Sequence, residues 1–124
     1  MNIFIVEDDQ VRIDIFKEKF EGIKNAKLFI ATTASEAKKI LKENKDKQWD
    51  MIFLDHDLGG RVYVESADQN TGYQVAKFIR DNDIKYYNII THTLNPMGAK
   101  NIQGILKDCN HVPFTLLRTM EFSY

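Results

Sequence analysis

The chain carries one cysteine, two prolines and six glycines in 124 residues, and its charges nearly cancel. Each scarcity excludes something. A lone cysteine, Cys109, cannot form an intramolecular disulfide or build a Cys-rich zinc site. Near a predicted helix end it reads as a semi-buried thiol, not a nucleophile. Seventeen basic and 18 acidic residues leave a formal net charge of −1. That gives no broad electrostatic footprint for duplex DNA, although binding one nucleotide or a strand end requires none. No apolar run approaches the length of a transmembrane helix, and the N-terminus lacks a signal-peptide pattern, so no membrane association and a cytoplasmic setting are expected. Repeats, low-complexity tracts and interdomain linkers are missing as well, which predicts a single domain over residues 1–124. What is present, 44% apolar and 28% charged residues, is the composition of a chain that folds around a core and not of a disordered one.

Hydrophobic patterning alternates between two kinds of segment. Residues 2–6 (NIFIV), 27–31 (KLFIA), 51–54 (MIFL) and 86–91 (YYNIIT) read as buried strands. Between them Ile13, Phe16 and Phe20 recur at helical spacing, with Gly22 as a stop; Ala37, Ile40 and Leu41 form a second stripe, and Val75, Ala76 and Ile79 a third. Thr33 with Glu36, and Thr71 with Gln74, have capping-box spacing. Asn95-Pro96 predicts an N-cap and first-turn proline for a helix presenting Ile102, Ile105 and Leu106. Residues 112–117 (VPFTLL) are read as a last strand, with Pro113 at an edge or start. Strands alternating with helices predict an α/β fold, a five-stranded parallel sheet covered on both faces in the flavodoxin-like order 2-1-3-4-5.

That order makes strands 1, 3 and 4 neighbours, and ligands bind such sheets beyond the carboxyl ends of the strands. Three polar clusters fall there: Glu7-Asp8-Asp9, Asp55-His56-Asp57 and Thr91-His92-Thr93, with Asn95 close behind. Acids at loop starts often cap helices, and Asp9 alone would be read that way, but three clusters on adjacent strands point to a site. Several carboxylates in one crevice suit a hard cation such as Mg2+, while a histidine ligand would favour Mn2+ or another transition metal. Strand alternation sends Asp55 and Asp57 to one side and His56 to the other. His92 is expected to project into the crevice as a general acid/base, a phosphate donor or a metal ligand; a core histidine bonded to a carbonyl is its alternative. The helix after Asn95-Pro96 would direct free amides at an anion, with Gly98 either admitting a phosphate or relieving packing, and Asn95 either capping or touching substrate. His111 has no comparable setting. The glycine-containing, polar loop 59–70, with Arg61, is read as a segment able to close over a ligand.

The layout resembles response-regulator receiver domains over essentially the whole chain. Asp8-Asp9 match the paired acids after strand 1, and Asp55 matches the phosphoacceptor aspartate; a residue two positions on, Asp57 here, gives a carbonyl to magnesium in receivers. The chain departs from that pattern where receivers carry a lysine before the strand-5 proline: Val112 precedes Pro113. The loop 59–70 is also longer than usual. A narrower resemblance is to the cyclic-phosphate processing receiver domains. Leu54-Asp55-His56-Asp57-Leu58 matches one half of that group's pattern, and His92, Asn95, Pro96, Gly98, Ala99 and Asn101 match the other. The resemblance implies metal-dependent processing, by hydrolysis, of a cyclic phosphate on a nucleotide or RNA end. The expected metal ligands are Asp8, Asp9, Asp55 and Asp57 for Mg2+, with Mn2+ as the second choice. Catalytic roles are expected for Asp55, His92 and Asp57, and phosphate contacts for Thr93, Asn95 and Gly98. Two other functions remain open at this point: a receiver phosphorylated on Asp55, and a catalytically silent module that binds a nucleotide or protein.

Overall fold

A computed structural model describes residues 1–122. Ten elements follow one another: β1 (Asn2–Val6), α1 (Gln10–Glu21), β2 (Lys27–Ala31), α2 (Ala34–Glu43), β3 (Trp49–Leu54), α3 (Gly72–Asp81), β4 (Tyr86–Thr91), α4 (Pro96–Ile105), β5 (Asn110–His111) and α5 (Phe114–Leu117). The strands form one sheet in the order β2-β1-β3-β4-β5, parallel throughout. This is the flavodoxin-like, receiver-like arrangement that the alternating pattern predicts.

Strand alternation builds the two faces. Phe4, Val6, Ile52, Leu54 and Ile89 pack beneath α2, α3 and α4, joined by Leu41, Val75 and Ile102. Ile3, Ile5, Met51 and Phe53 face the other way, against Phe16 and Phe20 of α1 and Phe114 and Leu117 of α5. Each such side chain, fully buried, contributes about 1.5–3 kcal/mol of transfer free energy, so these clusters fix the register of the central strands. Four helices start on side-chain caps: Asp9, Thr33, Thr71 and Asn95 accept the amides of Arg12, Glu36, Gln74 and Gly98. No described helix is long and apolar enough to cross a membrane.

One expected element differs. Residues 112–117 do not form the last strand; β5 is the pair Asn110–His111, and Phe114–Leu117 coil into a short helix. Pro113 supplies the reason. It has no amide for the sheet ladder, and its φ of −52° sets up the helical turn it precedes. The apolar residues Phe114 and Leu117 reach the core from a helix, three positions apart, instead of from a strand.

Candidate active site at the carboxyl edge of the sheet

In the sheet register Val6 lies beside Leu54 and Leu54 beside Thr91. The next residue of each strand is therefore Glu7, Asp55 and His92. Their amides still bond to the neighbouring strands, to Ala31, Val6 and Leu54 respectively. Three polar side chains consequently meet at one level, with ligand atoms within 4.8 Å of one another. The acid that register brings beside Asp55 is Glu7, which is absent from the ligand set expected from sequence; the strand ladder, not the Asp8-Asp9 pair, sets which acid meets Asp55. Asp9 instead caps α1, its Oδ1 accepting the Arg12 amide at 3.1 Å. Asp8 keeps a place at the rim, where its Oδ2 accepts the Gly60 amide at 2.6 Å.

A crevice of about 530 Å³ opens above this floor, lined by Glu7, Asp8, Asp9, Arg12, Asp55, Asp57, Gly60–Tyr63 and Thr93–Asn95 among others. Asp55 is nearly fully buried. Its Oδ1 accepts the His56 amide at 2.9 Å, and among the described residues its Oδ2 accepts no hydrogen bond. Burial, the neighbouring Glu7 charge and, more weakly, Asp57 push its carboxyl up to about 8, against the opposing pull of Arg12 and the His56 amide. Glu7 goes the other way. Burial alone would raise its carboxyl, but the His92 hydrogen bond and charge, the Asp9 amide and Arg12 together hold it below the usual range.

Arg12 is a second residue that sequence reasoning missed. It lies 3.7 Å from Glu7 and 3.9 Å from Asp55, and its guanidinium sits over the Phe114 ring. Nothing in the local sequence marks it, because a single arginine early in a charged helix looks like any solvated one. A cation thus reaches this edge from α1.

His92 does not line the crevice, contrary to the expectation. It is completely enclosed, its ring set edge-on to Phe16 at 5.1 Å and Phe114 at 6.1 Å. Nε2 pairs with Glu7 Oε1 at 2.8 Å, and Nδ1 has no partner among the described residues. Because a carboxylate only accepts, the Nε2 proton points at Glu7. The side chain therefore orients Glu7 from below. The core position follows from the sheet: His92 succeeds Thr91 on the α1/α5 face, where aromatic side chains close over it.

Asp57 also lines the crevice, with its side-chain oxygens already engaged. Its Oδ1 accepts from His56 Nδ1 at 2.7 Å, Asn95 Nδ2 at 3.0 Å and the Val64 amide at 3.1 Å; its Oδ2 accepts the Tyr63 amide at 2.7 Å. Burial would raise this carboxyl, but those four donors hold it below the usual range. His56 turns the other way, as strand alternation predicts: Asp55 and Asp57 line the crevice, while the His56 ring packs against Gly98 of α4. His56 is buried in the same network as Asp57. Asn101 donates to Ser66 Oγ at 2.9 Å, and His56 Nε2 lies 2.8 Å from the same hydroxyl oxygen. With Nδ1–H committed to Asp57, a neutral ring takes the Ser66 proton at Nε2.

The two halves of the motif therefore interlock. Gly98 is buried against His56: a Cβ there would lie 2.4 Å from the ring's Cγ. Its amide is used by Asn95 Oδ1 at 3.0 Å, so Gly98 makes room for His56 and offers nothing to a phosphate. Asn95 itself is spent on capping α4 and holding Asp57. Thr93 lines the crevice, its Oγ1 accepting the Asn95 amide at 3.1 Å and leaving the hydroxyl proton free to donate elsewhere. His111, unassigned from sequence, donates Nε2–H to the Thr93 carbonyl at 2.9 Å. The loop 59–70 is pinned by Asp57 and by Asn70, which accepts the Ala34 amide at 2.9 Å; Arg61 pairs with Asp68 at 2.9 Å. It stands as a wall of the crevice.

Residues 1–108 match the family model described as Cyclic-phosphate processing Receiver domain. No curated protein matches the chain. Among solved structures, the chain is similar to response regulator TrrA from Thermotoga maritima in complex with Mg(2+)-BeF, at 20% identity and TM-score 0.64, covering 90% of this chain and 84% of that one. It is similar to the non-phosphorylated HemR receiver domain from Leptospira biflexa at 20% identity and TM-score 0.62, over 99% and 98% of the two chains. The Mn(2+)-bound form of response regulator Rcp1 matches at 17% identity and TM-score 0.64, over 90% and 79%. At these identities the likeness to the three structures establishes the receiver fold alone. The family match, which takes in strands β1 to β4 and both halves of the interlocking motif, establishes more: the chain belongs to the cyclic-phosphate processing Receiver domain family.

Proposed function

We propose that the chain hydrolyses a cyclic phosphate, carried by a nucleotide or an RNA end, at the crevice above Asp55. The observation that carries this reading is Asp55 Oδ2: a carboxylate oxygen with no hydrogen bond among the described residues, at the floor of an open crevice, between two further acids and one arginine. The oxygen donors fit a hard divalent cation. Asp55, Glu7 and Asp8 would hold it; burial first and the Glu7 charge second raise the Asp55 carboxyl, and a cation there would offset both. Receivers named above were captured with magnesium or manganese. When bound, such an ion supplies positive charge to phosphate oxygens.

The chain's own groups have defined parts. Arg12, held at its place by Phe114, offers N–H donors to an equatorial phosphate oxygen. Thr93 offers its hydroxyl proton to another. His92 keeps Glu7 ionised and correctly aimed from beneath. Asp57, His56 and Asn95 hold the loop wall against the crevice. Water adds to phosphorus, one ring P–O bond breaks, and the leaving oxygen takes its proton from water, since the crevice is open and His92 is sealed off.

The test is turnover of a panel of cyclic phosphates with Mg2+ or Mn2+. Asp55→Asn should abolish it, and Arg12→Ala should lower kcat/KM by about 10²–10³, the usual loss for one transition-state donor. No turnover of any cyclic phosphate by pure, folded protein with either metal would overturn the proposal. In that event, a mass adduct on Asp55 after incubation with a small phosphodonor would favour the phosphoacceptor alternative.

A further inference from the structure

We infer that Tyr63 is a stacking platform for a nucleobase, so that the crevice selects a cyclic phosphate attached to a base over one without it. This rests on the cyclic-phosphate reading above and deepens it.

The observation is a concentration of exposed apolar surface on one rim. Val11, Val62, Tyr63 and Leu94 are 68%, 79%, 71% and 42% exposed, and all four line the crevice whose floor is Asp55. Tyr63 stands out among them by its backbone. Its φ is +53°, a left-handed conformation that a bulky residue rarely adopts. A chain tolerates that only where neighbouring structure enforces it. Here Asp57 does so: Oδ2 accepts the Tyr63 amide at 2.7 Å and Oδ1 the next amide, Val64, at 3.1 Å. Asp57 is in turn fixed by His56 and Asn95. Three residues of the motif thus converge on the conformation of one exposed tyrosine.

That arrangement makes little sense as packing, since the ring is mostly in water. It makes sense as a preorganised ligand surface. The floor is acidic and cationic, suited to a phosphate with a metal, and the rim is apolar and aromatic. A nucleotide has that division of character, a charged phosphate at one end and a flat π-surface at the other. The crevice volume of about 530 Å³ is in the range of sites for such ligands. Stacking on an aromatic side chain is tolerant of base identity, so the site should discriminate base from no base and not one base from another.

The experiment is calorimetric binding in Mg2+ of a nucleoside 2′-monophosphate and of glycerol 2-phosphate, a smaller phosphate monoester that lacks both base and ribose ring, to wild type, Tyr63→Phe and Tyr63→Asn. Asparagine accepts the left-handed backbone but has no ring, and the residue is exposed, so the fold is retained; circular dichroism checks this. Wild type and Tyr63→Phe should favour the nucleotide by about 5- to 100-fold, the range that base stacking supports. Tyr63→Asn should lose most of that preference while binding glycerol phosphate as before. Equal preference in all three proteins, or no preference in wild type, would overturn the inference, as would failure of both ligands to bind. Binding is read separately from turnover. Base preference without hydrolysis would overturn the proposed reaction and leave Tyr63's role standing; hydrolysis without base preference would do the opposite.

Discussion

Replacing Gly98 by alanine should unfold this protein more readily, although alanine is the better helix former. Gly98 lies in the first turn of α4. A Cβ there would come within 2.4 Å of His56 Cγ and 2.7 Å of Cδ2 and Nδ1. The ring has no free direction to retreat, because Nδ1 is bound to Asp57 and Nε2 to Ser66. Overpacking of this kind costs about 1–3 kcal/mol, and detaching His56 from a carboxylate forfeits a further 1.5–3 kcal/mol or so. The helix-propensity gain of about 1 kcal/mol offsets part of it. The net expectation is a loss of about 1.5–5 kcal/mol, a fall in Tm of roughly 5–20 °C for a chain of this size. Gly104 of the same helix is the control: nothing lies within 4 Å of a Cβ built on it, so Gly104→Ala should gain about 0.5–1 kcal/mol. Urea unfolding followed by circular dichroism gives both numbers. The double variant His56→Ala/Gly98→Ala should be less destabilised than the sum of its single variants, because the clash disappears with the ring. If Gly98→Ala were as stable as Gly104→Ala, the interlock between the two motif halves would be refuted.

Three further outcomes follow from the site. In metal-free protein, the raised Asp55 carboxyl means that the folded state binds more protons than the unfolded one between about pH 4 and pH 8, so wild-type stability should fall as pH rises through that window. Asp55→Asn should flatten the fall and be more stable above pH 8 by on the order of 5 kcal/mol, which thermal melts across pH would show; a less stable Asn variant there would contradict the buried-charge argument. Asp57 has the opposite sign. Its lowered carboxyl contributes stability that is present above the ordinary aspartate range and lost as pH falls through the folded value; Asp57→Asn should weaken the acid limb and speed amide exchange at Tyr63 and Val64, read by hydrogen exchange. Cys109, whose thiol burial and the neighbouring Asp108 charge push up to about 12 against the pull of the Thr91 backbone, should resist maleimide in native protein and react promptly in urea. Fast native labelling would mean that this end of the sheet opens.

The apolar runs of β1 to β4, the helix stripes and the four N-caps are local properties, and local sequence was sufficient for them, though not for residues 112–117: the apolar run in NIFIV and the Asn95-Pro96 cap are visible without knowing any neighbour. The order 2-1-3-4-5 followed from the alternation of elements, and with it the meeting of three polar clusters at one edge. What each side chain does at that edge was not local. Asp55 became the open carboxylate, and Asp57 the closed one, because four donors from a loop and a distant asparagine converge on Asp57 and none on Asp55 Oδ2. His92 and Glu7 exchanged prominence because Phe16 and Phe114, far apart in the chain, bury one ring and orient one acid. Arg12 and the held ring of Tyr63 are likewise matters of approach between segments, and sequence records which groups are available while only packing decides which of them remain free to meet a ligand.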